Sequence, residues 1–162
     1  MKPVGSLLLI AALFSSASVP VVAAPPAPDR DQVLKVVQNF FDALAANDVE
    51  AYRALFVPAT QITSTRNTPD GFSIRRRTVE DDSQKMPSSQ NRLLERMWNP
   101  IVQVQGRVAV VWTPYDFHLN GRFSHSGVDV FSLLKTDTGW KIASVVYSVE
   151  PGTPSQHPAG PP

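Results

Sequence analysis

Apolar residues in the first half of the chain recur at helical spacing. Val33, Val36, Val37, Phe40, Phe41 and Leu44 lie three and four apart, so they form one stripe on an amphipathic helix starting near Asp31. Asp29 or Asp31 can cap its start. Ala45-Ala46-Asn47-Asp48 ends it, because Asn47 tolerates the left-handed conformation and Asp48 can cap a new helix. That second helix is short, carries Val49, Tyr52, Leu55 and Phe56 on one face, and stops before Pro58. Thr78 and Asp81 are spaced as a capping box with Asp in place of Glu, which predicts a further helical turn.

Beyond residue 90 the pattern changes to that of strands. Segments 93–98, 101–104, 107–119, 122–135 and 140–149 are rich in β-branched and aromatic residues. Asn-Pro, Gln-Gly, Asn-Gly and Thr-Asp-Thr-Gly separate them, and all are turn formers. Short strands are expected between the second helix and Thr78. The order of helices followed by a long antiparallel meander gives an α+β class, and strands of this length imply a strongly curved sheet.

The two ends differ from this middle. Residues 1–23 have a Lys near the start, an apolar run from Leu7 to Phe14 and a small-x-small ending at Val21-Val22-Ala23. That is the layout of a cleaved export signal, so the mature chain is expected to begin at Ala24 and to be periplasmic or secreted. The apolar run is shorter than the roughly 20 residues a membrane span needs, so no stable anchor is expected. Residues 24–30 read as a Pro-rich leader, 31–150 as the domain, and 151–162 as a Pro-rich, disordered tail in which His157 is solvated.

Composition narrows the chemistry. Removing Lys2 with the signal leaves fourteen of fifteen basic residues against fourteen acidic ones, a mature net charge near zero. Such a balance gives no electrostatic footprint for nucleic acid. The chain has no cysteine, which excludes disulfides, a thiolate nucleophile and thiolate metal sites. Arg75-Arg76-Arg77 reads as a solvated edge strand whose charges discourage edge-to-edge pairing. Trp98, Trp112 and Trp140 are expected to fill the core, with Trp112 the best placed of them to stack on a ligand.

The candidate chemistry lies in residues 113–129, TPYDFHLNGRFSHSGVD. Asn120-Gly121 predicts a two-residue hairpin turn, which sets Leu119 against Arg122, His118 against Phe123, Asp116 against His125 and Trp112 against Asp129. Trp112, Asp116, His118, Phe123, His125 and Asp129 then share one face, expected to look inward because it mixes apolar bulk with a few convergent polar groups. Asp116 opposite His125 would place Cβ atoms about 5 Å apart, and a carboxylate that fixes an imidazole tautomer makes a general base. The alternative is a structural pair satisfying a buried histidine. His118, His125 and Asp116 have the residue types of a metal site, but their diagonal placement beside Phe123 does not converge, so no metal is expected. Ser124 and Ser126 face away from His125, which disfavours a Ser–His nucleophile. No glycine motif for phosphate is present and no cofactor is expected.

FFDALAANDVEAYRALF, ERMWNP and VWTPYDFHLNGRFSHSGVDVFSLLKTDTGWKIASVVYSVE together resemble the nuclear transport factor 2-like superfamily, in its SnoaL-like or "putative lumazine-binding" branch. The resemblance spans residues 31–150. It implies a cone: a curved antiparallel sheet wrapped around N-terminal helices, open at one end to a largely apolar pocket. It also implies homodimers through the outer sheet face. The superfamily hosts isomerases, dehydratases, cyclases, transport factors and plain binders, so it does not choose a function. The leading expectation is a binder of a small apolar or aromatic ligand. Trp112 and Phe123 would supply stacking surface, and Asp116, His118, His125, Asp129 and helix-borne Tyr52 the polarity. An isomerase, dehydratase or cyclase with His125 as base oriented by Asp116 is the second expectation, and a non-catalytic homodimeric accessory protein the third.

Overall fold

The computed structural model describes residues 27–86, 90–152 and 155–162, so the expected export signal lies outside the described residues. Helix α1 (Ala27–Ala46) buries Val33, Val37, Phe40 and Phe41 of the predicted stripe, with Ala43 beside them, and leaves Val36 and Leu44 partly buried. It begins before Asp31, since proline is tolerated in a first turn where its missing N–H has no helical partner. Part of the Pro-rich leader is therefore helical. Asp29 does not cap the helix; its Oδ1 instead accepts from Lys135 Nζ at 2.5 Å and from Trp140 Nε1 at 3.4 Å. Asn47 takes φ 57°, and Asp48 accepts from the Ala51 N–H at 3.0 Å to start α2 (Val49–Ala54).

The region after α2 holds more strand than expected. Phe56 opens strand β1 (Phe56–Thr68), which pairs antiparallel with β2 (Gly71–Thr78). Pro58 is accommodated because β1 breaks register between Phe56 and Gln61, with Ala59 at φ 61°. The Thr60 hydroxyl donates to the Val57 carbonyl at 2.7 Å across this irregularity. Helix α3 (Val79–Lys85) starts from the predicted capping box of Thr78 and Asp81. Strands β3 (Leu93–Met97), β4 (Ile101–Gln105), β5 (Val108–Leu119), β6 (Arg122–Thr136) and β7 (Gly139–Val149) complete the meander.

One sheet results, in the order β2-β1-β7-β6-β5-β3, with β4 also on β5. It is antiparallel except where β1 runs parallel to β7. Its concave side closes on α1 through Phe40, whose ring meets the edges of Phe41, Phe56 and Phe131 at 5.2–6.1 Å. Ile62, Val111, Leu133, Ile142 and Val145 line the same core, as does Trp140. Trp112 does not fill the core: it is 40% exposed on the convex side.

The hairpin departs from the predicted register. Asn120 at φ 54° and Gly121 at φ 76° make the expected turn, and His118 does face Phe123. One residue later a β-bulge inserts Ser124, so Phe117 faces His125, Asp116 faces Ser126, Thr113 faces Asp129 and Trp112 faces Val130. Asp116 and His125 are therefore not a cross-strand pair. The bulge divides the predicted face in two: Trp112, Asp116, His118 and Phe123 stand on the convex side, while His125 and Asp129 turn inward with Tyr115 and Phe117.

Candidate functional site

A cavity of about 340 Å³ opens between α1, α2, α3 and the concave sheet. Its apolar wall comes from Phe40, Leu44, Ile62, Leu93, Phe117 and Val145; most of its polar groups cluster in two places, and Asn47, Lys85 and His125 line it besides. The first is a chain of contacts fixed by α2, α3, β2 and β7. Arg77 Nε donates to both Asp82 carboxylate oxygens at 2.6 and 2.8 Å, and its Nη1 donates to the Tyr147 hydroxyl at 2.9 Å. The Tyr52 hydroxyl donates to Asp82 Oδ2 at 3.2 Å from the other side. Tyr52 thus belongs both to the core, being 1% exposed, and to the cavity wall. Burial first, and the Asp82 charge second, push its phenol far above the ordinary tyrosine range.

The second cluster is a carboxyl pair, Glu95 on β3 and Asp129 on β6. Glu95 alternates with Leu93 and Met97 on the inward face of β3, opposite Phe117. Asp129 is 2% exposed, is hydrogen-bonded to Glu95, and keeps its Oδ2 without a protein partner. Two carboxylates in an apolar wall cannot both ionise easily, so they hold a proton between them. Burial lifts Glu95 to about 7, opposed by the hydrogen bond from Asp129 and the Arg77 charge and assisted by the Asp116 charge. Burial, then the Glu95 charge and hydrogen bond, raise Asp129 well above the carboxylate range. At neutral pH the pair can both donate and accept a hydrogen bond.

His125 closes the rim. Its ring stacks on Phe117 at 5.0 Å and meets the edge of Tyr115 at 5.8 Å, while Nδ1 lies 3.0 Å from the Ser124 hydroxyl. Burial, and then the Arg66 charge, hold its pKa below the ordinary histidine value, so the ring is neutral at pH 7. Of the residues singled out from sequence, Tyr52, His125 and Asp129 line the cavity. Glu95, Asp82 and Tyr147 were missed, and Arg77, expected to be solvated on an edge strand, is instead largely buried against Asp82 and Tyr147 in the cavity wall.

The other four lie on the convex side, where Asp116, His118 and Phe123 form a separate arrangement and Trp112 stands exposed. Asp116, fully buried, accepts Arg96 through both carboxylate oxygens, at 2.9 Å from Nε. His118 Nε2 lies 3.3 Å from the same carboxylate, and the Ser155 hydroxyl donates to it. Burial works to raise the Asp116 pKa, but the hydrogen bonds from Arg96, Ser155 and His118 outweigh it and leave it lowered. Phe123 packs edge-on against His118 at 5.7 Å. The tail does not hang in solvent here: His157 sets its ring 5.5 Å from Trp98, and its backbone N–H donates to Ser155. Asp116 is therefore a structural anchor, and it cannot orient His125. Among the described residues no group of three His, Asp or Glu side chains converges for a metal.

Similar folds occur in solved structures. A protein of unknown function with a cystatin-like fold from Nostoc punctiforme shares 17% identity over 82% of this chain and 98% of its own, with a TM-score of 0.63. A nuclear transport factor 2-like protein from Cytophaga hutchinsonii shares 18% over 74% and 97%, at 0.62. A "putative dehydratase" of that family from Streptomyces avermitilis shares 18% over 80% and 100%, at 0.62. None of the curated proteins matches the chain. At these identities the likeness concerns the fold, and it defines a nuclear transport factor 2-like cone. More narrowly, residues 28–148 match the family model described as "Putative lumazine-binding", and the chain belongs to that family.

Proposed function

We propose that this is an exported domain that holds a small, mostly apolar or aromatic ligand in the mouth of the cone. The observation that carries the reading is the composition of the cavity: aromatic and aliphatic walls broken by two fixed polar clusters, the usual chemistry of a ligand pocket. Family membership agrees with small-ligand binding. Among the described residues no helix is long and apolar enough to cross a membrane, and residues 1–23 would act as the export signal. The ligand would lie against Phe117 and Tyr147 and reach the carboxyl pair at depth. A thermal-shift panel of heteroaromatic and polycyclic compounds tests this. At least one compound should raise Tm in the native chain and not in Tyr147→Ala; a flat response across the panel contradicts it.

A second reading is favoured by one observation, the carboxyl pair of Glu95 and Asp129 set side by side in the cavity wall. A carboxyl group poised near neutrality beside an apolar cavity can remove or return a proton next to a carbonyl, as an isomerase or dehydratase requires. His125 stays on the rim as a possible partner, now without Asp116. This reading predicts that deuterium exchange into cyclic enones, followed by NMR, rises as Glu95 loses its proton and falls about a hundredfold in Glu95→Gln. Equal exchange in the variant removes it.

We also infer a homodimer through the convex face. Ile101, Trp112, Val130 and Val146 face one another in an unbroken cross-strand row over β4, β5, β6 and β7. Ile101, Trp112 and Val146 are 57%, 40% and 46% exposed, an apolar band of the kind that marks interaction sites.

A further inference from the structure

A smaller hollow of about 190 Å³ adjoins the main cavity, and the two share His125 and Tyr147 as a common wall. Its remaining lining is Ser64, Arg66, Ser73, Arg75 and Val149. Register explains the convergence. Ser64 faces Arg75 and Arg66 faces Ser73 across β1 and β2, so two hydroxyls and two guanidinium groups occupy one face as a crossed square. Tyr147 and Val149 continue that face on β7, opposite Ser64 and Arg66. Arg76 points to the other side, and Arg77 on the same side is already committed to Asp82.

Among the described residues, Arg66 and Arg75 have no carboxylate within salt-bridge distance. Two cations held diagonally on neighbouring strands, about 7–8 Å apart at the backbone, repel one another unless an anion lies between them. Edge-strand protection alone would not need these side chains gathered around a concavity with serine hydroxyls. Guanidinium forks flanked by hydroxyls match the oxygens of a carboxylate, sulfonate or phosphate.

We propose that this hollow takes the anionic group of the same ligand whose apolar body fills the main cavity, so that the ligand is an amphiphilic aromatic or polycyclic acid. This rests on the pocket reading above and sharpens its ligand class. Arg66 and Arg75 would grip the acid, Ser64 and Ser73 would complete its hydrogen bonds, and Tyr147 would mark the boundary between body and head.

The test uses two fluorescent probes with the same rings, anilinonaphthalene sulfonate and its uncharged counterpart phenylnaphthylamine. Both are titrated into the native chain and into the double variant Arg66→Gln/Arg75→Gln, with Arg76→Gln as a control of equal charge loss per residue. The sulfonate should bind the native chain about tenfold more tightly than the neutral probe, a difference of about 1.4 kcal/mol. The double variant should lose that preference while its affinity for the neutral probe is unchanged and its Tm is no lower than the native value, and Arg76→Gln should keep it. Equal affinities in the native chain, or a preference that survives the double substitution, overturns the inference and leaves the pocket standing. Failure of both probes to bind overturns the two together.

Discussion

Glu95 is the residue whose surroundings say most about the site. It interrupts an otherwise apolar inward face, Leu93-x-Glu95-x-Met97, and that interruption is a signal readable in the sequence. Its partner was not readable, because Asp129 lies far along the chain and meets it only through the order of β3, β5 and β6. The pair makes a pH prediction. Both pKa values are raised by folding, so the native state binds more protons than the unfolded chain, and stability falls as pH rises. The contribution is full below the ordinary glutamate value near 4.5 and declines as pH passes through about 7. Thermal melts from pH 5 to 8 should show Tm decreasing in the native chain, with a flatter profile in Glu95→Gln. A native profile as flat as the variant's would show that the carboxyls do not share a proton.

At the scale of the elements, the β5–β6 hairpin carries the lesson. A two-residue turn pairs odd positions with even ones, yet the concave face uses odd positions on both strands: Val111, Phe131 and Leu133 in the core and Tyr115, Phe117 and Asp129 in the cavity wall. Only an inserted residue reconciles turn and core, and Ser124 is that residue. The even positions Val110, Trp112, Val128 and Val130 are apolar too, which hid the conflict and led to the Asp116–His125 pairing. The helical stripe of α1, the caps at Asp48 and Thr78 and the turn at Asn120 were legible because each is a local signal. The parallel pairing of β1 with β7 was not, since it joins distant segments. Gly127 offers a test of the hairpin's packing. A Cβ there would strike the Ser148 carbonyl and lie 2.9 Å from Tyr115 Cε1. Gly127→Ala should cost about 1–3 kcal/mol or more in urea unfolding and weaken ligand binding through the displaced Tyr115 ring. A neutral substitution would mean the strands separate more freely than their geometry implies.

Across the whole molecule, the α+β class and the curved sheet follow from patterning, with helices first and a long meander after, and the cone is what the family resemblance implies. The division of labour between its two faces does not follow from patterning, because both carry apolar and polar residues. The convex face holds Asp116, His118 and the folded-back tail beside an exposed apolar band, which suits assembly. Trp112→Glu places a charge in that band and should convert a dimer to a monomer in sedimentation equilibrium, with a Tm that no longer rises with protein concentration. A native chain already monomeric at high micromolar concentration would contradict the dimer.

The concave face carries the central claim, that the cavity holds a small apolar or aromatic molecule. Leu44 lines it from α1 and is only partly buried, so Leu44→Trp should fill the space without unfolding the helix. The decisive measurement is a phenylnaphthylamine titration of the native chain and this variant. Saturable binding at one probe per chain, weakened about tenfold or more by Leu44→Trp at unchanged Tm, is the predicted result. Equal affinity in the two proteins would place the probe elsewhere and contradict the account.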